Sequence, residues 1–504
     1  MSEYFRGKPM RVGQTPQYPF ADDVVEDRWN LRRVVHRPTK FPGNPVMVPD
    51  GVYEYNCYES HVWRDPETGR FHNWYQDADL EAAYRGHEAE SGSAEGHPDF
   101  CRYAHSEDGV NWVKPKLGLL QHGGTKENNI VLAGNYECDR SAVVLNSDPN
   151  DVQRKFIMAY LDRVDGQSGF CLAYSPDGTR FTPEPKNPVV AGHFDCVNTP
   201  VWDPINRYWL WYSRPTVHAY GFAPPTYKWR DIDYEGGKSR HHRRRVCVAV
   251  SEDLVNWSKP RTCLYADELD GEWTDIDHFR PWYQNGMFFG NASYVDQEVR
   301  GKPGHLMLVW SRDGFTWHRP HDREWFIGRG PEGAFDDGWV LGASAPVFVG
   351  NEMWFYYAGQ PYNEKANMCL EMSVGLAKLS RDWFMSQEAG MEEGFLLTRE
   401  VVIDGSRLEL NFSTFQQGPT KTAMADMGQI TVELVESLTG RDCVVGGKPI
   451  EGFAFKDCDP VRGNRVDWPV TWNGNGDLSQ LKGRPVHLRF RLKIANLFTF
   501  AFKD

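Results

Sequence analysis

Five segments place acidic residues just ahead of an aromatic-rich hairpin. They are "YNCYESHVW" with Glu59 and His61, "ECDRSAVVL" with Asp139 and Arg140, and "HFDCVNTPVW" with Asp195 and Asn198. "WTDIDHFRPW" follows with Asp275, Asp277 and His278, and "GAFDDGWVLGASAPVF" with Asp336 and Asp337. Two carboxyl groups facing each other across a pocket can divide acid and base work. One stays protonated and donates to a leaving oxygen, while the other, ionised, steadies positive charge or activates water. Like charge and partial burial would push their pKa values apart. On this pattern the catalytic candidates are Glu59, Asp195 and Asp277. His61, Arg140, Asn198, His278 and Asp337 are the substrate-binding candidates. Glu59 and His61, two apart on a strand, share a face. Taken singly, each carboxylate also has the look of a turn cap, so the recurrence carries the expectation.

The elements that would position these residues repeat along the chain. "AHSEDGVNWVKP" at 104, "AYSPDGTRFTPE" at 173, "AVSEDLVNWSKP" at 249 and "VWSRDGFTWHRP" at 309 share Ser, then Asp two residues on, then an aromatic four beyond. A decayed copy, "AKLSRDWFMS", begins at 377, and the spacing between copies runs from 60 to 76 residues. Self-similarity at such a period marks a propeller or solenoid. In each copy the Asp can accept backbone N–H bonds, and the aromatic is expected to pack back on its own sheet. Ahead of each copy lies a turn and an aromatic strand; Asp65-Pro66, Asp148-Pro149 and Asp203-Pro204 occupy the same place in three of them. Proline suits a turn and not a central strand, so Arg64-Asp65-Pro66 reads as a hairpin turn.

Each unit therefore reads as a four-stranded antiparallel blade, with blades at about 50–125, 126–187, 188–265, 266–330 and 331–385. Five blades make an all-β fold, a five-bladed β-propeller. After about 390 the signature stops and alternating strands such as "VHLRFRLKI" take over, the pattern of a C-terminal β-sandwich. The expected division is an N-terminal extension over 1–49, the propeller over 50–388 and the sandwich over 389–504.

The bulk numbers narrow the function classes. A chain of 504 residues exceeds the size of a single core. A formal charge of −13 argues against a nucleic-acid partner, and the run "KSRHHRRRVCV" at 238 reads as a solvated loop or a subunit contact. No apolar stretch is long enough to span a membrane, and the N-terminus lacks an apolar signal core, so a cytoplasmic location is expected. Ten scattered cysteines without a CxxC pair fit reduced thiols. His241 and His242 have no partner at a metal-ligand spacing, and no phosphate loop, nucleophile elbow or dinucleotide fingerprint occurs.

The Ser-x-Asp-Gly-x-x-Trp turns, five blades and trailing strands resemble the five-bladed propeller glycoside hydrolases. Their relatives include fructan hydrolases, arabinanases and xylosidases, and mannoside phosphorylases. The resemblance covers roughly 50–500 at the level of architecture. The fructan hydrolases' opening Trp-Met-Asn-Asp-Pro-Asn-Gly stretch is absent here. Glu137-Cys138 lacks the Trp and Pro that flank their acid motif, and Glu59 meets the arabinanase pattern only loosely. The resemblance implies a glycosidase acting on a small glycoside or oligosaccharide, with a carbohydrate as partner. Glu59 would be base or nucleophile, Asp195 an orienting group and Asp277 the acid. It implies no required cofactor, allows an axial cation such as calcium, and leaves room for a homo-oligomer through the sandwich or the basic insertion. Two alternatives stay open: a phosphorylase using Arg140, His278 and Arg280 for phosphate, and a propeller that only binds carbohydrate.

Overall fold

The computed structural model describes residues 6–50, 54–78, 93–215, 231–234, 237–240, 244–271, 274–296, 303–342, 345–362, 371–414, 428–436 and 447–504. His241 and His242 of the basic run lie outside the described residues. The described chain is built from strands, with only short 3-10 turns besides, and forms two compact units.

The larger unit, 39–348 with 354–378, is a succession of antiparallel sheets met in chain order. The first joins Tyr58–Arg64, Phe71–Ala78, Asp99–Ser106 and Ile130–Leu132. The second joins Asp139–Leu145, Phe156–Val164 and Gln167–Ser175, with Thr182–Pro183 on its outside. The third joins Phe194–Asp203, Tyr208–Pro215, Val246–Ser251 and Arg261–Leu264. The fourth joins Thr274–Gln284, Met287–Asp296 and Gly304–Ser311, and runs through a parallel pair, Gly304 with Trp339, into the fifth. The fifth sets Trp339–Gly342 beside Glu352–Gln360 and Ser373–Ser380. Its outermost strand, Thr39–Lys40, comes from the start of the chain, with Lys40 opposite Ala377 and Thr39 opposite Lys378. The first strands of neighbouring sheets lie side by side.

The repeated turns fold as one device. In the first copy Gly109 N–H donates to Ser106 Oγ at 2.9 Å, and Val110 and Asn111 N–H both donate to Asp108 Oδ1 at 2.8 Å. The same bonds recur at Ser175 and Asp177 and at Ser311 and Asp313; in the third copy, where Leu254 stands in the glycine's place, Val255 and Asn256 N–H donate to Asp253 Oδ1. The Asn256 N–H leads the bonds that hold the Asp253 carboxyl down to about 2. The aromatics that follow do not simply fold back on their own sheets. Trp112 meets Tyr356 of the fifth sheet edge-on at 5.8 Å, and Trp317 meets both Tyr212 of the third and Phe279 of its own. Neighbouring sheets also latch through the glycine carbonyls of these turns. Trp74 Nε1 donates to Gly178 O at 2.6 Å, Tyr212 Oη to Gly314 O at 2.7 Å, and Tyr356 Oη to Gly109 O at 2.7 Å. The last of these ties the fifth sheet to the first. A turn motif thus serves as an inter-sheet clasp, because a glycine at positive φ leaves its carbonyl open to a neighbouring ring. The decayed fifth copy has no such place: its Ser380 and Asp382 belong to the smaller unit.

Asp65 closes a hairpin. Its Oδ1 accepts from Glu67 N–H at 2.8 Å and Thr68 N–H at 3.2 Å, as Asp203 Oδ1 does from Ile205 and Asn206.

The smaller unit comprises 1–38, 349–353 and 379–504. The sequence set 1–49 apart as an extension; pairing puts most of it here. Val25–Trp29 pairs with Gly394–Thr398, and Arg32–Val35 with Met385–Ala389. These extend two five-stranded sheets, whose apolar faces share one core including Val432, Leu488 and Phe490 from one and Leu410, Phe412 and Phe500 from the other.

Candidate functional site

Each of the first four sheets carries a β-bulge in its first strand, at the same level. Register slips between Tyr58 and His61, between Asp139 and Ala142, between Asp195 and Thr199, and between Ile276 and Phe279. The bulges contain Glu59, Arg140, Cys196 to Asn198, and Asp277 with His278. Glu59 and Arg140 take φ of +51° and +52°, an uncommon region for residues with a side chain. A bulge re-aims side chains out of the strand's alternation, and here it brings charged groups together. The loops entering the first two strands are pinned by buried acids. Asp77 Oδ1 accepts from Tyr55 and Asn56 N–H, and Asp162 accepts from Asn135, Tyr136 and Glu137 N–H.

The result is a continuous ion-pair network. Glu59 meets Arg280, and its other oxygen lies 2.8 Å from His278 Nε2. His278 Nδ1 is 2.7 Å from Asp277, whose carboxylate also meets Arg214 and Arg244. Arg214 passes on to Asp195, and Arg140 Nε lies 3.7 Å from Asp195 and 3.3 Å from Asp139. Arg280 Nη1 donates to Thr199 Oγ1 at 2.7 Å. From the fifth sheet Gly342 packs beside this strand: a Cβ there would stand 3.2 Å from Asn291 Cβ and 3.4 Å from Arg280 Cγ.

Accessibility divides the network. The side chains of Glu59 and Asp277 are 1% and 0% exposed, whereas Asp195 is 33% and Asp139 21% exposed. The two reachable carboxyls are displaced in opposite directions. Against a burial penalty that would raise it, Arg214, Arg140 and Arg244 hold Asp195 well below the usual carboxylate range. Burial pushes Asp139 up, opposed by Arg140 and assisted by Asp195. Behind Asp139, Gln76 Nε2 lies 3.2 Å from its Oδ1 and 3.1 Å from Asp99 Oδ1. Burial and the neighbouring Asp139 drive Asp99 well above its ordinary value. Burial, with Asp139 next, brings Glu137 to about 7.

Of the sequence candidates, Glu59, Arg140, Asp195, Asp277 and His278 meet in this network. His61 and Asn198 are buried nearby in the chain, and neither side chain has a hydrogen-bond partner among the described residues. Asp337 stands apart in a turn, where its Oδ2 accepts from Gly333 N–H at 2.7 Å and its Oδ1 from Tyr362 N–H at 2.6 Å. Asp336 is buried against Lys40 and Tyr357. Sequence reasoning passed over Arg214, Gln76 and Asp99, which lie on second and third strands, and Arg244, which stands two residues ahead of Val246–Ser251. An arginine inside "YWLWYSRP" was the available signal.

Cys196 Sγ, an Asp277 oxygen and a His278 nitrogen lie within 4.8 Å of one another. One thiol, one carboxylate and one imidazole do not suit calcium, which takes six to eight oxygens. Arg214 and Arg244 on the same carboxylate oppose any further cation.

No family model matches the chain, and no curated protein does. Solved structures do. An N-acetylgalactosamine deacetylase from F. plautii is 15% identical over 71% of this chain and 97% of that chain, with a TM-score of 0.42. A β-1,2-mannobiose phosphorylase from Listeria innocua is 12% identical over 68% and 97%, TM-score 0.45. A glycosyl hydrolase from Bacteroides ovatus is 14% identical over 69% and 94%, TM-score 0.43. Glycoside hydrolase-like proteins, a mannobiose phosphorylase and a deacetylase thus stand among the structural neighbours of this chain.

Proposed function

We propose that this chain is a carbohydrate-active enzyme that breaks a glycosidic bond. In this reading the successive sheets are the blades of a five-bladed β-propeller, and the smaller unit is a β-sandwich. One observation carries the activity: Asp139 and Asp195, both reachable, flank Arg140 with their pKa values driven apart. That is the division of labour glycoside cleavage requires. Asp139 is the proton donor to the leaving oxygen, and Asp195 is the ionised partner. Both oxygens lie within 3.7 Å of a single Arg140 nitrogen, which caps their separation. The cap admits the retaining spacing of about 5 Å and the short end of the inverting range, about 6.5 Å. Glu59 and Asp277 work from beneath, fixing Arg280, His278 and Arg214. Arg140, 17% exposed between the two carboxyls, is the group proposed to hold substrate hydroxyls, while His278, buried with both ring nitrogens against Glu59 and Asp277, belongs to the support beneath.

A second reading, phosphorolysis, draws support from the gathering of Arg140, Arg214, Arg244 and Arg280 with His278. Turnover of a panel of aryl glycosides and short oligosaccharides, with and without phosphate, separates the two. Hydrolysis that collapses in Asp139→Asn and Asp195→Asn supports the first; a strict phosphate requirement moves the reaction to the second. Sugar binding without turnover, unaltered in those variants, would leave a binding protein.

A further inference from the structure

The bulge in Asp139–Leu145 takes one buried backbone group out of the sheet ladder. Register slips between Asp139 and Ala142, so Ser141 falls outside the pairing with Phe156–Val164. A buried N–H needs an acceptor. Gln76 reaches over from Phe71–Ala78 of the first sheet to supply it, and Ser141 N–H donates to Gln76 Oε1 at 3.0 Å. Because a backbone N–H can only donate, this bond settles which way round the amide lies. The Nε2 end then faces two carboxyls, Asp139 Oδ1 at 3.2 Å and Asp99 Oδ1 at 3.1 Å. Both amide protons are committed, and the side chain is fully buried. A backbone tie runs alongside, from Cys138 N–H to Asp99 O at 3.0 Å. One neutral side chain thus grips the bulge that carries Asp139 and the Asp139 carboxyl itself.

The kind of grip matters. A cation beside a carboxyl favours its ionised form, and Asp195 is held that way, by Arg214 and Arg140. An amide donates a hydrogen bond without adding net charge, so it can fix a carboxyl that has to keep its proton. Resting on the reading of Asp139 as the proton donor, we propose that Gln76 is its positioning residue. The amide sets the angle at which the Asp139 carboxyl meets the leaving oxygen. Ser141 and Asp99, taking the amide's other two bonds, keep its plane from turning.

The test is leaving-group dependence in the full chain. Cleavage of a 2,4-dinitrophenyl glycoside hardly needs a proton on the departing oxygen, whereas cleavage of the phenyl glycoside does; the sugar is that of whichever aryl glycoside the wild type turns over. Gln76→Met keeps the length of the side chain and removes its donors and acceptor. In this variant kcat/KM for the phenyl glycoside should fall roughly ten- to hundredfold, the cost of misplacing an acid, while the dinitrophenyl glycoside stays close to wild type. Asp139→Asn, run beside it, should show the same selectivity with a deeper loss. Equal loss on both substrates in Gln76→Met, or loss on neither, with selectivity intact in Asp139→Asn, would sink the role of Gln76 alone. A wild type that turns over no aryl glycoside, or an Asp139→Asn without selectivity, would sink the reading of Asp139 as the acid and this role with it. If Gln76→Met does not fold, Gln76→Glu decides. The introduced carboxyl keeps an acceptor for Ser141 and, once protonated, a donor for Asp139, so phenyl turnover should recover toward wild type as pH falls. A constant ratio to wild type across pH would overturn the proposal.

Discussion

Arg280→Met tests the electrostatic logic of the buried half of the network. The guanidinium is fully buried, contacts the Glu59 carboxylate and donates to Thr199. Burial pulls its pKa down to about 9, and the Glu59 carboxylate is its ion-pair partner. Methionine retains the length of the aliphatic stem and removes only the cation. Glu59 then keeps His278, 2.8 Å away, as its remaining partner for a carboxylate sealed from water. Breaking one side of a buried pair costs about 3–5 kcal/mol. At about 2 °C per kcal/mol for a unit of this size, the melting transition should fall by roughly 6–10 °C. Removing the anion as well, in Glu59→Gln with Arg280→Met, should recover roughly 2–3 kcal/mol relative to the sum of the single losses, as expected for contacting groups. Differential scanning calorimetry on the full chain reads both, with the smaller unit's transition as internal reference. A shift below about 2 °C in Arg280→Met, or strict additivity in the double variant, would refute the idea that this pair holds the site.

Other outcomes follow from the same geometry. The alkaline limb of the pH–rate profile for kcat/KM should report the raised Asp139, with activity lost as pH climbs through its pKa and the proton departs. Arg140→Gln removes a charge that lowers that pKa and should carry the limb to higher pH; no movement would exclude Asp139 as the acid. Asp65→Ala should cost about 1 kcal/mol in denaturant unfolding, the worth of a turn cap, and leave turnover intact. Gly109→Ala should lose roughly 2–4 kcal/mol from left-handed strain and overpacking, because its Cβ would stand 2.6 Å from Tyr356 Oη and 2.8 Å from Trp354 Cζ3. Gly166→Ala, at a similar φ but with nothing within 4 Å, should lose only about 1 kcal/mol, and equal losses would dissolve the clasp.

The repeat was legible because its physics is local. Ser, Asp and Gly within four residues specify a turn wherever they occur, and the aromatic strand beside it has a period of two. The carboxylates of the first strands were legible for the same reason, since one stands shortly ahead of each hairpin turn. What escaped was set by distant partners. Nothing around Glu59 or Arg140 marks a bulge, because the positive φ is borne by residues that ordinarily avoid it. The destination of the turn aromatics depends on which sheet arrives beside them, so Trp112 could not be assigned to Tyr356 from its own neighbourhood. Val25–Trp29 is too short and too exposed to declare a partner, and its mate, Gly394–Thr398, lies at the far end of the chain. Asp337 shows the converse: an acid ahead of an aromatic strand that its own turn consumes.

The strand Thr39–Lys40 has a consequence for biosynthesis. Its partners, Ala377 and Lys378, are made more than three hundred residues after it. At about 5–20 residues per second the wait is roughly 20–70 s, long against the time in which local hairpins form. Earlier sheets can assemble as they emerge, while the fifth stays one strand short until the two distant segments meet. Lys40, whose ammonium pairs with Asp336, offers that encounter a charge-guided landing point. A nascent chain stalled short of residue 378 would therefore display an open sheet edge, the kind of surface that chaperones shield and that neighbouring chains on a polysome can capture.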